Sequence, residues 1–168
     1  MRREYAVAVF VVRDGAGMLH SHQKLGRWLP PGGHVEPNEL PHSAAVRETL
    51  EEVGLTIEVV DASTDLYSDV ERPRGVPTRL PSPIGTQLED IPGRPGNSAH
   101  QHIDFVFAAR LINGSASHPI DVEGGARPAW FTPAEWDALA LSSEVRSWAE
   151  AAIRIVRQRR SEAIRPTL

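Results

Sequence analysis

Cysteine is absent from this 168-residue chain, and its absence excludes a disulfide scaffold, a cysteine nucleophile and a thiolate zinc site. Long apolar runs are missing too, since no stretch approaches the ~18 residues that a membrane-crossing helix needs. Met1-Arg2-Arg3-Glu4 passes straight into the alternating apolar run Tyr5 to Val12, without the apolar core of a secretory leader. A soluble cytoplasmic protein is the expectation. No block of Lys and Arg accompanies the formal net charge of −4, which argues against general nucleic-acid binding, because that rests on neutralising phosphates. There is no internal repeat. A chain of this length suits one domain and can bury a core without disulfides or structural metal, so residues 1–168 are read as a single domain.

What the chain does have is a cluster of carboxylates beside glycines, in Gly33, Glu39, Arg47, Glu48, Glu51, Glu52 and Gly54. Pro41 can open a helix, because its missing N–H would be unpaired there, and Gly54 followed by Leu55 is a helix stop, so a helix is expected from Pro41 to Val53. At ~100° per residue, Val46, Thr49, Leu50 and Val53 share one side, while Ala44, Glu48, Glu51 and Glu52 share the other. An acidic face is most often only a solvated helix surface. Like charges at these spacings nevertheless cost a few tenths of a kcal/mol per pair, so folding does not favour the cluster, and a divalent cation would remove the cost. Oxygen donors suit the hard cations Mg²⁺ and Mn²⁺, which are held by a few carboxylates together with substrate phosphates. Leu29 to Gly33 reads as a rigid loop whose paired glycines let a backbone carbonyl approach a metal.

Around this segment the expected order is strand, strand, loop, helix, strand, a long irregular insertion, strand, loop and two helices. Tyr5 to Val12 and Met18 to Gln23 form the first two strands, joined by a turn at Asp14-Gly15-Ala16-Gly17, and Leu55 to Val60 follows the helix. The insertion, at about 71–99, is rich in proline and glycine, and a short edge strand is expected near Gly85 to Ile91. In Gln101 to Leu111, alternation sets Ile103, Phe105 and Phe107 against His100, His102, Asp104 and Val106. Thr132-Pro133-Ala134-Glu135 is a capping box that starts a short helix carrying Trp136. A last helix, Ser143 to Arg159, places Val145, Trp148, Ala149, Ala152, Ile153 and Val156 on a core stripe.

Gly33 to Leu55 resembles the signature of the Nudix (MutT-like) hydrolase family, G-x5-E-x7-R-E-U-x-E-E-x-G-U with U apolar. Every charged and glycine slot is filled, and Thr49 in an apolar slot is the one departure. The resemblance implies an α/β fold, the Nudix α/β/α sandwich with a mixed β-sheet. It also implies Mg²⁺-dependent hydrolysis of a pyrophosphate bond, with Mn²⁺ able to substitute. The metal ligands it implies are Glu48, Glu51, Glu52 and the carbonyl of Gly32, with Glu123 as a further carboxylate from a late loop and Asp121 as the runner-up. Glu48 and Glu51 are the candidate bases, Arg47 orients a glutamate or a loop carbonyl, and Glu39 bonds backbone N–H groups or Arg47.

For the substrate, the candidates are Arg27, His20, His22 and Lys24 toward phosphates, and His102 and Asp104 toward a base. Trp28 and Trp130 either stack on a base or pack in the core. The expected partner is a nucleotide or a nucleoside-diphosphate-linked small molecule, with no nucleic-acid polymer, no membrane, and a homodimer left open. The lead reaction converts a nucleoside triphosphate to monophosphate and pyrophosphate. Alternatives are ADP-ribose, a nucleotide sugar or a dinucleotide polyphosphate, for which Pro73 and Tyr67 are poorly placed markers, and a non-catalytic nucleotide-sensing domain. An isoprenoid diphosphate isomerase of this fold would normally use a cysteine, and none is present.

Overall fold

The alternating apolar residues that follow Arg3 build the strand on which the rest of the sheet is laid, β1 (Arg3–Arg13). The structure is a computed structural model and describes residues 1–22, 26–63, 78–94, 96–112 and 128–164. In chain order β1 is followed by β2 (Ala16–His22), β3 (Arg27–Leu29), β4 (Gly32–His34), α1 (Pro41–Val53), β5 (Ile57–Val60), β6 (Gly85–Ile91) and β7 (His100–Leu111). Then come β8 (Ala129–Phe131), a 3₁₀ helix (Pro133–Leu139) and α2 (Ser143–Ile164).

The strands form one eight-stranded sheet with the spine β3-β2-β1-β7-β5, to which β4 is added on β1, β6 on β7 and β8 on β2. β1 and β7 are parallel, in a register that runs from Arg3 opposite Gln101 to Val12 opposite Arg110. The other pairings are antiparallel, so the sheet is mixed. The β1–β2 turn is tighter than expected: Asp14 and Gly15 both have positive φ, 49° and 82°, the mirror-image turn that suits a two-residue hairpin. β6 has the bounds expected of it and lies along β7.

Period-two alternation sends successive residues of the central strands to opposite layers. Val7, Val9, Val11, Phe107 and Ala109 pack with Ala44, Ala45 and Val53 of α1. Phe10, Val12, Val106 and Ala108 pack with Trp136 and with Val145, Ala149, Ala152 and Ile153 of α2. One helix covers each face, which makes the chain an α/β/α sandwich. The capping box at Thr132 forms as expected, with Glu135 answering the Thr132 backbone N–H.

Three expectations need correction. Leu29 to Gly33 is not a loop throughout, because β4 begins at Gly32; β3 and β8 are also strands, too short for a period to show in sequence. The buried side of α1 is Ala44, Ala45, Thr49 and Val53, while Leu50 is exposed. The helix is thus rotated so that Ala44, expected on the acidic side, lies against the sheet. Finally, α2 continues past Arg159 to Ile164, where Arg159 and Gln158 both bond Glu162 across one turn.

Thr49 is fully buried, and its hydroxyl donates to the Ala45 carbonyl at 2.7 Å, so its polar atom enters the core satisfied. α1 starts at Pro41 and ends on Gly54 at φ 68°, whose N–H donates to the Leu50 carbonyl. Further on, the chain is tied back to the sheet at Asp61. Burial would raise this carboxyl, but the amides of Ser63 and Ser82, the Ser63 hydroxyl and the Arg79 guanidinium hold it down at about 2. Among the described residues no helix is long and apolar enough to cross a membrane.

Candidate active site

Arg47 projects from the middle of α1 and organises the acidic face around a single guanidinium. Its Nε and Nη2 donate to the two oxygens of Glu39 at 2.9 and 2.8 Å, a bidentate pair. Nη1 donates to Glu48 at 2.8 Å and to Glu51 at 3.1 Å, and Nη2 also reaches the His34 carbonyl at 3.0 Å. Glu39 in turn accepts from the Glu36 amide. The loop before α1, the last residue of β4 and two carboxylates of the helix are therefore fixed to one cation. The hydrogen bonds that Arg47 donates to Glu39 outweigh burial and, with that to Glu48, hold the guanidinium charged.

Glu52 lies on the sheet side of the same helix and is not held by Arg47. It accepts the Gly32 amide at 2.9 Å, and His20 Nε2 of β2 lies 3.8 Å away. Burial pushes its carboxyl up to about 7, helped by repulsion from Glu48 and Glu51 and opposed only by the Gly32 amide. The three motif carboxylates do not gather around one point: among the described residues they are not a group whose ligand atoms all lie within 4.8 Å of one another.

The glycines are required by space, not by turn geometry. Gly32 pairs with Ala8 and Gly33 with Val7, and neither has positive φ. A methyl group on Gly32 would run into the Val7 carbonyl, and one on Gly33 would lie 2.5 Å from the Glu48 carboxyl.

The residues expected at the substrate are dispersed. His20 is buried, and that burial lowers its pKa, which favours the neutral imidazole. Among the described residues its Nδ1 has no hydrogen-bond partner. His22 pairs with Arg27 across the β2–β3 ladder, and Arg27 is exposed. Lys24, Glu123, Asp121, Tyr67 and Pro73 lie outside the described residues. Asp104 is buried on the face of β7 that meets α2. Its carboxyl is raised by burial, against a hydrogen bond from Gln87 Nε2 at 3.1 Å. Gln87 in turn accepts the Trp148 indole N–H and donates to Glu144. Trp28 packs edge-on against Phe131, and Trp130 lies under the Arg13 guanidinium.

Two residues of this region went unmarked in the sequence reading, Glu4 and His34. His34 Nε2 lies 3.0 Å from Glu4 Oε2 and 3.2 Å from His102 Nε2, and His100 Nε2 is 3.2 Å from His102 Nε2. The His100 and His102 alternation was visible, but its union with Glu4 and His34 depends on the β1–β7 and β1–β4 registers, which no local pattern announces.

Comparison with known proteins bears on the same residues. A family model described as the NUDIX domain matches residues 2–154. Among curated proteins the chain is similar to an isopentenyl-diphosphate Delta-isomerase of Streptomyces avermitilis, 29% identical over 137 residues that cover 74% of this chain and 70% of that protein. It is also similar to one of Streptomyces griseus subsp. griseus, 28% identical over 134 residues that cover 75% of this chain and 64% of that protein. A solved structure of a NUDIX-family hydrolase from Clostridium perfringens superposes with a TM-score of 0.69 at 26% identity, covering 93% of this chain and 99% of that one.

Proposed function

We propose that this chain, which belongs to the NUDIX family, is a divalent-metal-dependent pyrophosphohydrolase that converts a nucleoside triphosphate-type substrate to monophosphate and pyrophosphate. The observation that carries this reading is the placing of Glu52, bonded to the Gly32 amide at 2.9 Å beside Glu48 and Glu51, which Arg47 holds on the same helix, so that burial and two like charges push its carboxyl up. Nothing in folding rewards such a group, and a cation beside it would relieve it. The all-oxygen set of Glu48, Glu51, Glu52 and the Gly32 carbonyl fits Mg²⁺ or Mn²⁺, and Glu123 is proposed as a further ligand. That these carboxylates do not converge on one point suits ions completed by water and substrate phosphates. A cation bound there supplies polarised phosphoryl oxygens and a more acidic water.

The chain's own residues do the rest. Arg47 holds Glu48 and Glu51 at the mouth of the acidic face, and either can take a proton from the attacking water. Glu52 keeps its bond to the Gly32 amide, which fixes its carboxyl beside those of Glu48 and Glu51. Arg27, Lys24, His20 and His22 are proposed to meet the phosphates and Asp104 the base, while His102, expected to join it, is taken up with His34, His100 and Glu4. ADP-ribose, a nucleotide sugar or a dinucleotide polyphosphate would undergo the same cleavage at the same residues.

A second reading has one observation in its favour: the curated relatives are named isopentenyl-diphosphate Delta-isomerases. The lack of cysteine in this chain counts against an isomerase and leaves a diphosphate-bearing isoprenoid as a candidate substrate. Incubating the full chain with Mg²⁺ and a panel of nucleotides plus isopentenyl diphosphate, then separating the products, decides among these. Monophosphate and pyrophosphate formed in Mg²⁺ but not in EDTA supports the proposal. Nucleotide bound and returned intact identifies a sensing domain, and double-bond migration an isomerase.

A further inference from the structure

We propose that Glu4, His34, His100 and His102 form a second metal site, for a divalent transition cation of the zinc class, separate from the carboxylates of α1. The four residues come from three strands. Glu4 of β1 lies opposite His102 of β7 in the parallel ladder, His100 is two residues along the same face of β7, and His34 of β4 pairs beside Ala6 of β1. Three imidazoles and a carboxylate are thereby set on paired strands, the kind of support that holds ligand atoms in place.

The distances match coordination. A tetrahedral ion with bonds of ~2.0–2.1 Å separates its ligand atoms by roughly 3.3–3.4 Å. Here Glu4 Oε2 lies 3.0 Å from His34 Nε2, 3.4 Å from His100 Nε2 and 3.8 Å from His102 Nε2. His102 Nε2 lies 3.2 Å from Nε2 of both His34 and His100.

Protons alone serve this arrangement poorly. His100 Nδ1 is 2.9 Å from the Ser98 carbonyl, which can only accept, so the ring proton belongs on Nδ1 and Nε2 offers a bare lone pair to the cluster. A backbone carbonyl behind the ring is also how ligating histidines are commonly oriented. If His34 Nε2–H donates to Glu4, His102 Nε2–H can satisfy His100, but then the His34–His102 approach sets one N–H against another. A cation accepts all three nitrogens at once.

Imidazole donors select zinc-class ions over Mg²⁺. The His100 side chain is 3% exposed and anchors the site, and that of His34 is 57% exposed and leaves a way in from solvent. Glu89 and Asp104 also approach His102, but that group has one imidazole and an exposed carboxylate. β4 links the two centres: Gly33 lies under Glu48, and the next side chain, His34, projects to the other face of the sheet.

The test uses the full chain, stripped of metal and titrated with Zn²⁺ and then Co²⁺ against a chromophoric chelator, with melting temperature followed in parallel. One equivalent of Zn²⁺ should bind, raise the melting temperature and give Co²⁺ the strong visible bands of a four-coordinate site. Glu52→Gln should retain this binding. Glu4→Gln and His102→Gln should weaken it ~100-fold or more, since second-shell changes alone cost 10–100-fold. Glu4 is partly exposed, so Glu4→Gln tests the site without a demand on the core. Binding lost in Glu52→Gln and kept in the other two variants would assign the ion to α1 and overturn the proposal, as would wild-type protein that binds no Zn²⁺. Neither result depends on whether the chain hydrolyses nucleotides.

Discussion

Gly33 and Glu48 share one space: the carboxyl of Glu48 occupies the volume that a side chain at position 33 would need, 2.5 Å from an added methyl group. Gly33→Ala should therefore fold, because the end of a flexible side chain can move aside, yet lose turnover by ~10²-fold, the scale of a displaced base or ligand. Gly32→Ala meets the Val7 backbone instead and should lower the melting temperature. Melting curves and initial rates on both variants check the contrast. Equal activity of Gly33→Ala and wild type would remove Glu48 from the chemistry.

Glu52 should give the metal-free protein a pH-dependent stability of definite sign. Its folded pKa, about 7, lies above the ordinary 4.5, so between those values the native state holds a proton that the unfolded chain releases. The contribution is full below about pH 4.5 and is lost as pH rises through about 7. His20, whose pKa is lowered, works in the opposite sense and loses stability as pH falls. The difference between wild type and Glu52→Gln in EDTA isolates Glu52: the variant should gain on wild type from pH 5 to pH 8. It should also lose ~10²-fold or more in turnover.

Arg47→Lys should be costly although charge is conserved. One ammonium cannot reproduce the bidentate bond to Glu39 while it also reaches Glu48, Glu51 and the His34 carbonyl. The loss of charged hydrogen bonds predicts about 1.5–3 kcal/mol of stability, read from urea denaturation, together with reduced turnover. A variant as stable as wild type would show that the hub is not maintained in solution.

Asp104→Asn leaves an oxygen to accept from Gln87 and removes the charge. If Asp104 also reads a base, the ranking of a nucleotide panel by kcat/KM should shift while the metal requirement is unchanged. An unchanged ranking with a lower melting temperature would confine Asp104 to holding Gln87 and, through it, Trp148 of α2.

Much of the local structure was legible before the fold was known. Pro41 and Gly54 bracket α1, Thr132 and Glu135 open the 3₁₀ helix, and Gly85 to Ile91 is a strand with the expected bounds. Each depends on φ preferences, capping or period, which act within a few residues. The acidic face of α1 was likewise written in spacing, whereas the part of Arg47 in it came only from the resemblance to a known family.

What only the tertiary structure decided was everything set by a partner distant in sequence. Which side of α1 is buried was fixed by the packing of Ala44, Ala45 and Val53 with β1 and β7, which buries Thr49 with them and turns Leu50 out. β4 is a strand because β1 supplies its hydrogen bonds, and its glycines are needed because Val7 and Glu48 stand where their side chains would go. Glu4 meets His34, His100 and His102 through two strand registers. The sequence specifies those registers only through the packing of the whole sheet, because a shift of one residue would carry every one of these side chains to the opposite face.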